Sequence, residues 1–316
     1  MTGNKVLYIC SAGRSGSTLI DLLLGSHSQC MSLGEIEHLP KNLALNTACS
    51  CGAPARECGF WNQMADRIKT SQGKDIFASP YGFQVGMHKA TRVIDATFQT
   101  ASYLRKRKLV LAIKHFEYYF RFEPQWLAWL TASFDMGVNN TFELYDAVRY
   151  VSEKSVLIDS SKEYRKGIAL YRRDPDKVRL VVLTRDGRGV FNSELKSGFD
   201  RKASLHPWLS YYKRGLPLIE KNVPPAHRFH LRYEDLASKP AETMEALCKF
   251  AGLSFEPSML DFRHAVHHIL NGNDMRMGGS AIRFDERWRN ELGTNDLAYF
   301  EQVGGCAMNR RLGYMD

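Results

Sequence analysis

No apolar run in this chain is long enough to cross a membrane. The longest, such as Leu180-Val181-Val182-Leu183, are strand-sized, far short of the roughly 20 residues that a spanning helix needs. No secretion signal is expected: Val6-Leu7-Tyr8-Ile9-Cys10 is too short an apolar stretch, and no small-residue cleavage pattern follows it. The expectation is a cytoplasmic protein without a membrane span. Internal repeats and linkers rich in Pro, Gly or Ser are lacking, so nothing divides the 316 residues into independent units. One domain over 1–316 is expected. Cysteines number seven, an odd count that argues against a complete disulfide framework.

What is present is the balance of an ordinary globular protein: 44% hydrophobic and 24% charged residues, with a mean hydropathy of -0.34. That excludes wholesale disorder, and the length allows a full hydrophobic core without staples. Forty-three Lys and Arg against 34 Asp and Glu leave a net charge of +9. A polyanionic partner is favoured but not specified.

Short, near-continuously apolar runs at Lys5 to Cys10, Ser155 to Ile158, Val178 to Thr184 and Arg228 to Leu231 read as strands buried on both faces of a parallel sheet. Helical patterns follow each: Ser17 to Leu24, Tyr164 to Arg173, Gly187 to Lys196 and Pro240 to Ala251. The alternation predicts a three-layer α/β/α fold around a central parallel sheet. Residues 61–150 differ, being aromatic-rich and helical in pattern. A helical insertion over the sheet edge is expected there, with Phe116, Tyr118, Tyr119, Phe120, Phe122, Trp126 and Trp129 packing its helices.

The first predicted strand runs into Gly13-Arg14-Ser15-Gly16-Ser17-Thr18, which opens a helix. Small residues let backbone N–H groups approach an anion, and the helix N-terminus adds partial positive charge. Arg14 supplies a forked donor, Ser17 and Thr18 hydroxyls. This is not a Walker A loop: counted from Gly16 as the second glycine, Ser11 replaces the first and Ser17 the lysine. The third strand ends at Arg185, and Ser193 follows eight residues later on the next helix. Ligands of open α/β sheets bind at the carboxyl ends of strands, so both loops should face one crevice. Two anion sites there suit a nucleotide phosphorylated at two places.

These two segments, in this order, resemble the 5′-phosphosulfate loop and the 3′-phosphate site of sulfotransferases that use 3′-phosphoadenosine 5′-phosphosulfate (PAPS). Leu33-Gly34-Glu35, Ile158-Asp159-Ser160-Ser161-Lys162, Leu231-Arg232-Tyr233-Glu234-Asp235-Leu236 and the stretch from Gly272 to Trp288 are similar to further family patterns. The resemblance implies a P-loop-like sulfotransferase fold and transfer of a sulfuryl group from PAPS to an acceptor hydroxyl, such as that of a carbohydrate or other small molecule. No metal is required in that scheme, and the product is adenosine 3′,5′-bisphosphate. Gly13, Arg14, Ser15, Gly16, Ser17 and Thr18 would hold the 5′-phosphosulfate; Arg185 and Ser193, joined by Arg276 or Arg283, the 3′-phosphate. Lys162 would neutralise the sulfuryl group. Glu35 is the preferred general base, with Glu37, His38 and His115 as alternatives. The middle of the chain, roughly 65–150, matches no family pattern, and acceptor specificity is expected there.

Cys49, Cys51 and Cys58, in a C-x-C-x6-C pattern with no histidine nearby in sequence, are read as unpaired thiols, a local disulfide or, least of all, zinc ligands. Two rival functions stay open. A kinase or nucleotide hydrolase could use Val156-Leu157-Ile158-Asp159 as a Mg²⁺-holding strand, although the Walker lysine is missing. A polyanion-binding protein could use the basic residues Lys5, Arg105-Lys106-Arg107-Lys108 and Arg310-Arg311, but no nucleic-acid-reading motif accompanies them.

Overall fold

In the computed structural model, residues 4–86, 101–277 and 282–314 are described. Five strands form one sheet: β1 (Lys5–Ser11), β2 (Cys30–Ser32), β3 (Val156–Lys162), β4 (Val178–Thr184) and β5 (Arg228–Arg232). Their spatial order is β2-β3-β1-β4-β5 and every pairing is parallel. Four of the strands coincide with the apolar runs expected. β2 does not announce itself, because three residues, Cys-Met-Ser, carry too little pattern.

Side chains of β1 alternate between two cores. Val6, Tyr8 and Cys10 enter one with Leu157, Leu180 and Val182; Leu7 and Ile9 enter the other with Val156, Ile158, Val181 and Leu183. The second core is closed by α1 (Ser17–Gly25), through Leu19, Ile20, Leu22, Leu23 and Leu24, and by Met244, Leu247 and Cys248 of the helix Pro240–Ala251. The first is covered by helices that follow α2 (Leu39–Ala44): α3 (Gly59–Gln72), α5 (Ala128–Ser152) and α6 (Tyr164–Arg173), with α4 (Ala101–Phe120) packed alongside. Helices on both faces of a parallel sheet make the three-layer α/β/α fold.

Every regular element described between residues 61 and 150 is helical, though 87–100 lie outside the described residues. The aromatics there depart from the expectation. Tyr118 is buried, but Phe116, Tyr119, Phe120, Phe122, Trp126 and Trp129 are exposed, the two tryptophans at 74% each. No helix among the described residues is long and apolar enough to cross a membrane.

Candidate active site

Chain direction reverses at β1: the connection through α1 leads toward β2, whereas β4 lies on the other side of β1 and leads on to β5. Such a switch point splays the following loops apart at the carboxyl ends of the strands and opens a crevice. Here the crevice is a cavity of about 950 Å³, within the size range of ligand sites.

The loop between β1 and α1 forms one wall. Gly16 caps α1 at φ 93°, and a Cβ there would lie 2.6 Å from the Tyr233 ring, so only glycine fits. No side chain caps the helix, which leaves first-turn N–H groups facing the cavity. The Tyr212 hydroxyl anchors the loop to β4: it donates to the Leu183 carbonyl at 2.7 Å and accepts from Ala12 N–H at 3.4 Å. Arg14 sits in the left-handed region at φ 57°, a conformation that costs an L-residue energy and is held here by its surroundings. Its guanidinium donates to Ser197 Oγ at 2.8 Å and lies 3.7 Å from Glu194 Oε1.

An adjoining wall begins where β4 ends. Arg185 is 7% exposed; it donates to the Arg14 carbonyl at 2.8 Å and to Asp285 Oδ2 at 3.1 Å, and its guanidinium lies 4.4 Å from the centroid of the Tyr233 ring. The two expected anion sites are therefore joined by a direct hydrogen bond. Hydrogen bonds from Arg287, with help from Arg185, hold the Asp285 carboxyl well below the usual carboxylate range despite its partial burial. Ser193 rides on α7 (Gly187–Lys196), whose N-terminus is fixed by the Asp186 side chain accepting from Arg188 N–H at 2.8 Å and from Asn309 at 2.9 Å. Arg283 borders the cavity, and its carbonyl accepts from the Tyr233 hydroxyl at 2.9 Å.

At the end of β3, Lys162 adopts φ 72° and directs its ammonium to Glu35, with Nζ 2.5 Å from Oε1. Both groups line the cavity, and His38 Nε2 lies 4.0 Å from the other Glu35 oxygen. Gly13, Arg14, Gly16, Ser17, Thr18, Glu35, Lys162, Arg185, Ser193 and Arg283 thus border one space.

Other expected residues lie elsewhere. Ser15 is fully buried behind the loop. Arg276 turns away from the lining and donates to the carbonyls of Ala48 and Ile269. Glu37 faces Lys166 at 3.6 Å. His115, on α4, is not among the lining residues; burial, then Arg165 and Arg214, push its pKa down. Asp159, required by the kinase alternative, is fully buried and accepts from the Tyr145 hydroxyl at 2.6 Å and Ser161 N–H at 2.9 Å. It is not presented to a bound nucleotide.

Sequence reasoning missed the roles of Tyr233, Asp285 and Arg287 in shaping this wall. Only the family-like stretches from Leu231 to Leu236 and from Gly272 to Trp288 hinted at them. Among the described residues, none from 61–150 borders the cavity.

A three-layer α/β/α fold whose switch-point crevice is lined by a glycine-containing loop and a buried arginine has its ligand site at the carboxyl ends of the strands. A family model described as the sulfotransferase family matches residues 83–257. The chain belongs to that family, and the protein catalyses sulfuryl transfer. The match spans Lys162, Arg185, Ser193 and Tyr233, while the Arg14 loop and Glu35 precede it. In fold, the chain is similar to the sulfotransferase domain of the Synechococcus PCC 7002 olefin synthase, at 18% identity and a TM-score of 0.53 over 96% of this chain and 94% of that one. The sulfotransferase domain from the curacin biosynthetic pathway is 17% identical, with a TM-score of 0.49 over 96% and 98%. Comparison with curated proteins finds no significant match.

Proposed function

We propose that the protein is a PAPS-dependent sulfotransferase that sulfates an acceptor hydroxyl, with the whole chain acting as one sulfotransferase domain. The observation that carries this reading is that one cavity is bordered by the Arg14 loop, by Arg185 and Ser193, and by the paired Glu35 and Lys162. A donor carrying a 5′-phosphosulfate and a 3′-phosphate has anions at two separated places. The α1 N-terminus, Ser17, Thr18 and Arg14 suit the first, and Arg185 with Ser193 and Arg283 the second.

In this reading the acceptor oxygen attacks sulfur as the bond from sulfur to the bridging phosphate oxygen breaks. The electron pair leaves with the 5′-phosphate, and adenosine 3′,5′-bisphosphate departs. Lys162 exchanges its Glu35 partner for the sulfuryl oxygens, where charge accumulates. The released Glu35 carboxylate takes the proton of the acceptor hydroxyl. The acceptor enters on the Glu35 side, where Gly86 abuts Glu37 and the carbonyl of Gly86 packs against Gly137 of α5. Residues of the helical region 61–150 would then shape acceptor choice.

The test is a thermal-shift comparison. Adenosine 3′,5′-bisphosphate should stabilise the protein without Mg²⁺, by about 2.7 kcal/mol at a hundredfold excess over Kd, while ATP with Mg²⁺ should do little. Stabilisation by ATP with Mg²⁺ and not by the bisphosphate would overturn the donor assignment.

A further inference from the structure

Three cysteines and a histidine converge at a place that sulfuryl transfer does not use. Cys49 and Cys51 lie on a loop closed by an antiparallel bridge between Ala48 and Pro54, and Cys58 is the residue before α3. The fourth group is His268, which comes from the C-terminal part of the chain, 210 residues beyond Cys58. The C-x-C-x6-C spacing could not nominate this partner; the fold supplies it.

Cys58 Sγ is 3.3 Å from His268 Nδ1, Cys49 Sγ is 3.9 Å from the same nitrogen, and Cys51 Sγ is 3.6 Å from Cys58 Sγ. All four ligand atoms lie within 4.8 Å of one another. A tetrahedral zinc ion with Zn–S of about 2.3 Å and Zn–N of about 2.0 Å spaces its ligands about 3.8 Å apart for two sulfurs and about 3.5 Å for sulfur and nitrogen. The two sulfur–nitrogen distances bracket the ideal edge, the sulfur–sulfur distance of 3.6 Å is close to it, and the remaining separations stay within 4.8 Å, so side-chain adjustments would seat the ion.

Two neighbouring aromatic residues hold His268, one at its ring and one at its backbone. The Phe60 ring stacks on His268 with centroids 5.0 Å apart and planes 15° apart, and the Trp61 indole N–H donates to the His268 carbonyl at 3.0 Å. A disulfide would use two of the four groups and leave the convergence of the other two without a purpose.

We infer that Cys49, Cys51, Cys58 and His268 form a closed Cys₃His site for structural zinc. On binding, the three thiols lose their protons to solvent, and the thiolates with the neutral imidazole fill all four positions, so no open coordination site is left for catalysis. The ion clamps the loop around residue 50 to the C-terminal segment. Neighbouring bonds run the same way: Ser50 N–H donates to the Ile269 carbonyl at 3.0 Å, and Ile269 N–H donates to Ser50 Oγ at 2.8 Å. Arg276 adds its bonds to Ala48 and Ile269. The clamped segment continues into Asn271, Gly272 and Asn273, which border the cavity. The zinc therefore holds one rim of the candidate active site.

The experiment is metal analysis of the full chain, purified without a metal-chelating tag or chelator. We expect one zinc per chain, and after exchange for Co²⁺ the intense visible bands of a tetrahedral ion together with a thiolate-to-metal charge-transfer band. Cys51→Ser, at an exposed position, and His268→Ala should weaken zinc retention in competition with a chelator by at least ~10-fold, whereas Cys306→Ser should retain it. If either variant fails to fold, the Co²⁺ spectrum of the unaltered protein decides alone. Protein that folds without zinc and takes up none, an octahedral Co²⁺ spectrum without the charge-transfer band, or a disulfide among the three cysteines in freshly isolated protein would each overturn the inference.

Discussion

Replacing Gly16 by alanine strikes the joint between the two anion sites. The backbone there sits at φ 93°, and the added Cβ would lie 2.6 Å from Tyr233 Cδ2 and 3.3 Å from Cε2. A left-handed conformation costs an L-residue about 1–2 kcal/mol, and overpacking costs about 1–3 kcal/mol, so the variant should lose about 2–5 kcal/mol in all. For a domain of 316 residues that corresponds to a fall in Tm of about 3–8 °C. The two contributions are separable, because Tyr233 can be trimmed while the backbone angle cannot. In the Gly16→Ala/Tyr233→Ala double variant the clash disappears and the dihedral cost stays, giving a favourable coupling of about 1–3 kcal/mol in a double-mutant cycle. Tyr233 also stacks under Arg185 and donates to the Arg283 carbonyl, so Gly16→Ala should weaken bisphosphate binding as well. Thermal denaturation of the four proteins measures the cycle. Additive losses, or a Gly16→Ala variant as stable as its parent, would refute the reasoning.

Three more outcomes are expected. Glu35→Gln should reduce turnover by roughly 10²–10⁴-fold and leave bisphosphate affinity unchanged; near-normal turnover in a sulfate-transfer assay would move the base elsewhere. Lys162→Met should lower turnover by about 10²–10³-fold, with little effect on binding of the bisphosphate, which lacks the sulfuryl group; unchanged turnover would separate Lys162 from the transfer step. Asp21 is 1% exposed and burial pushes its carboxyl up to about 8. Folding therefore favours the protonated acid, a contribution complete below pH ~4 and lost as pH rises toward 8, so Asp21→Asn should stabilise the protein progressively over that window. A Tm difference between variant and parent that stays constant from pH 5 to 8 would contradict this.

The sheet was legible because β1, β4 and the first half of β3 are apolar and buried on both faces, whereas β5, at the sheet edge, buries only Leu231 and was read from its position before a helical pattern. β2 was not, since three residues define no period. Glu35 and Lys162 were nominated from separate motifs, and their ion pair shows what the motifs could not: that the two groups compete for each other before any donor arrives. Tyr233 escaped notice as a wall of the crevice because an aromatic after a strand ordinarily reads as core. The exposed Trp126 and Trp129 erred in the opposite direction, as composition cannot say which face of a helix is covered. His268 was out of reach entirely; a ligand 210 residues from its nearest partner becomes visible only after folding.

The claim that one nucleotide bridges both anion sites is tested most directly by calorimetric titration of adenosine 3′,5′-bisphosphate and adenosine 5′-phosphate into the parent, Arg14→Ala and Arg185→Ala proteins. Arg185→Ala should weaken the bisphosphate by about 10–100-fold, the worth of a charge-assisted contact, and the 5′-phosphate compound much less, through the lost bond to the Arg14 carbonyl alone; Arg14→Ala should weaken both. Equal losses for the two ligands in Arg185→Ala, or bisphosphate affinity no greater than that of the 5′-phosphate compound in the parent, would contradict it.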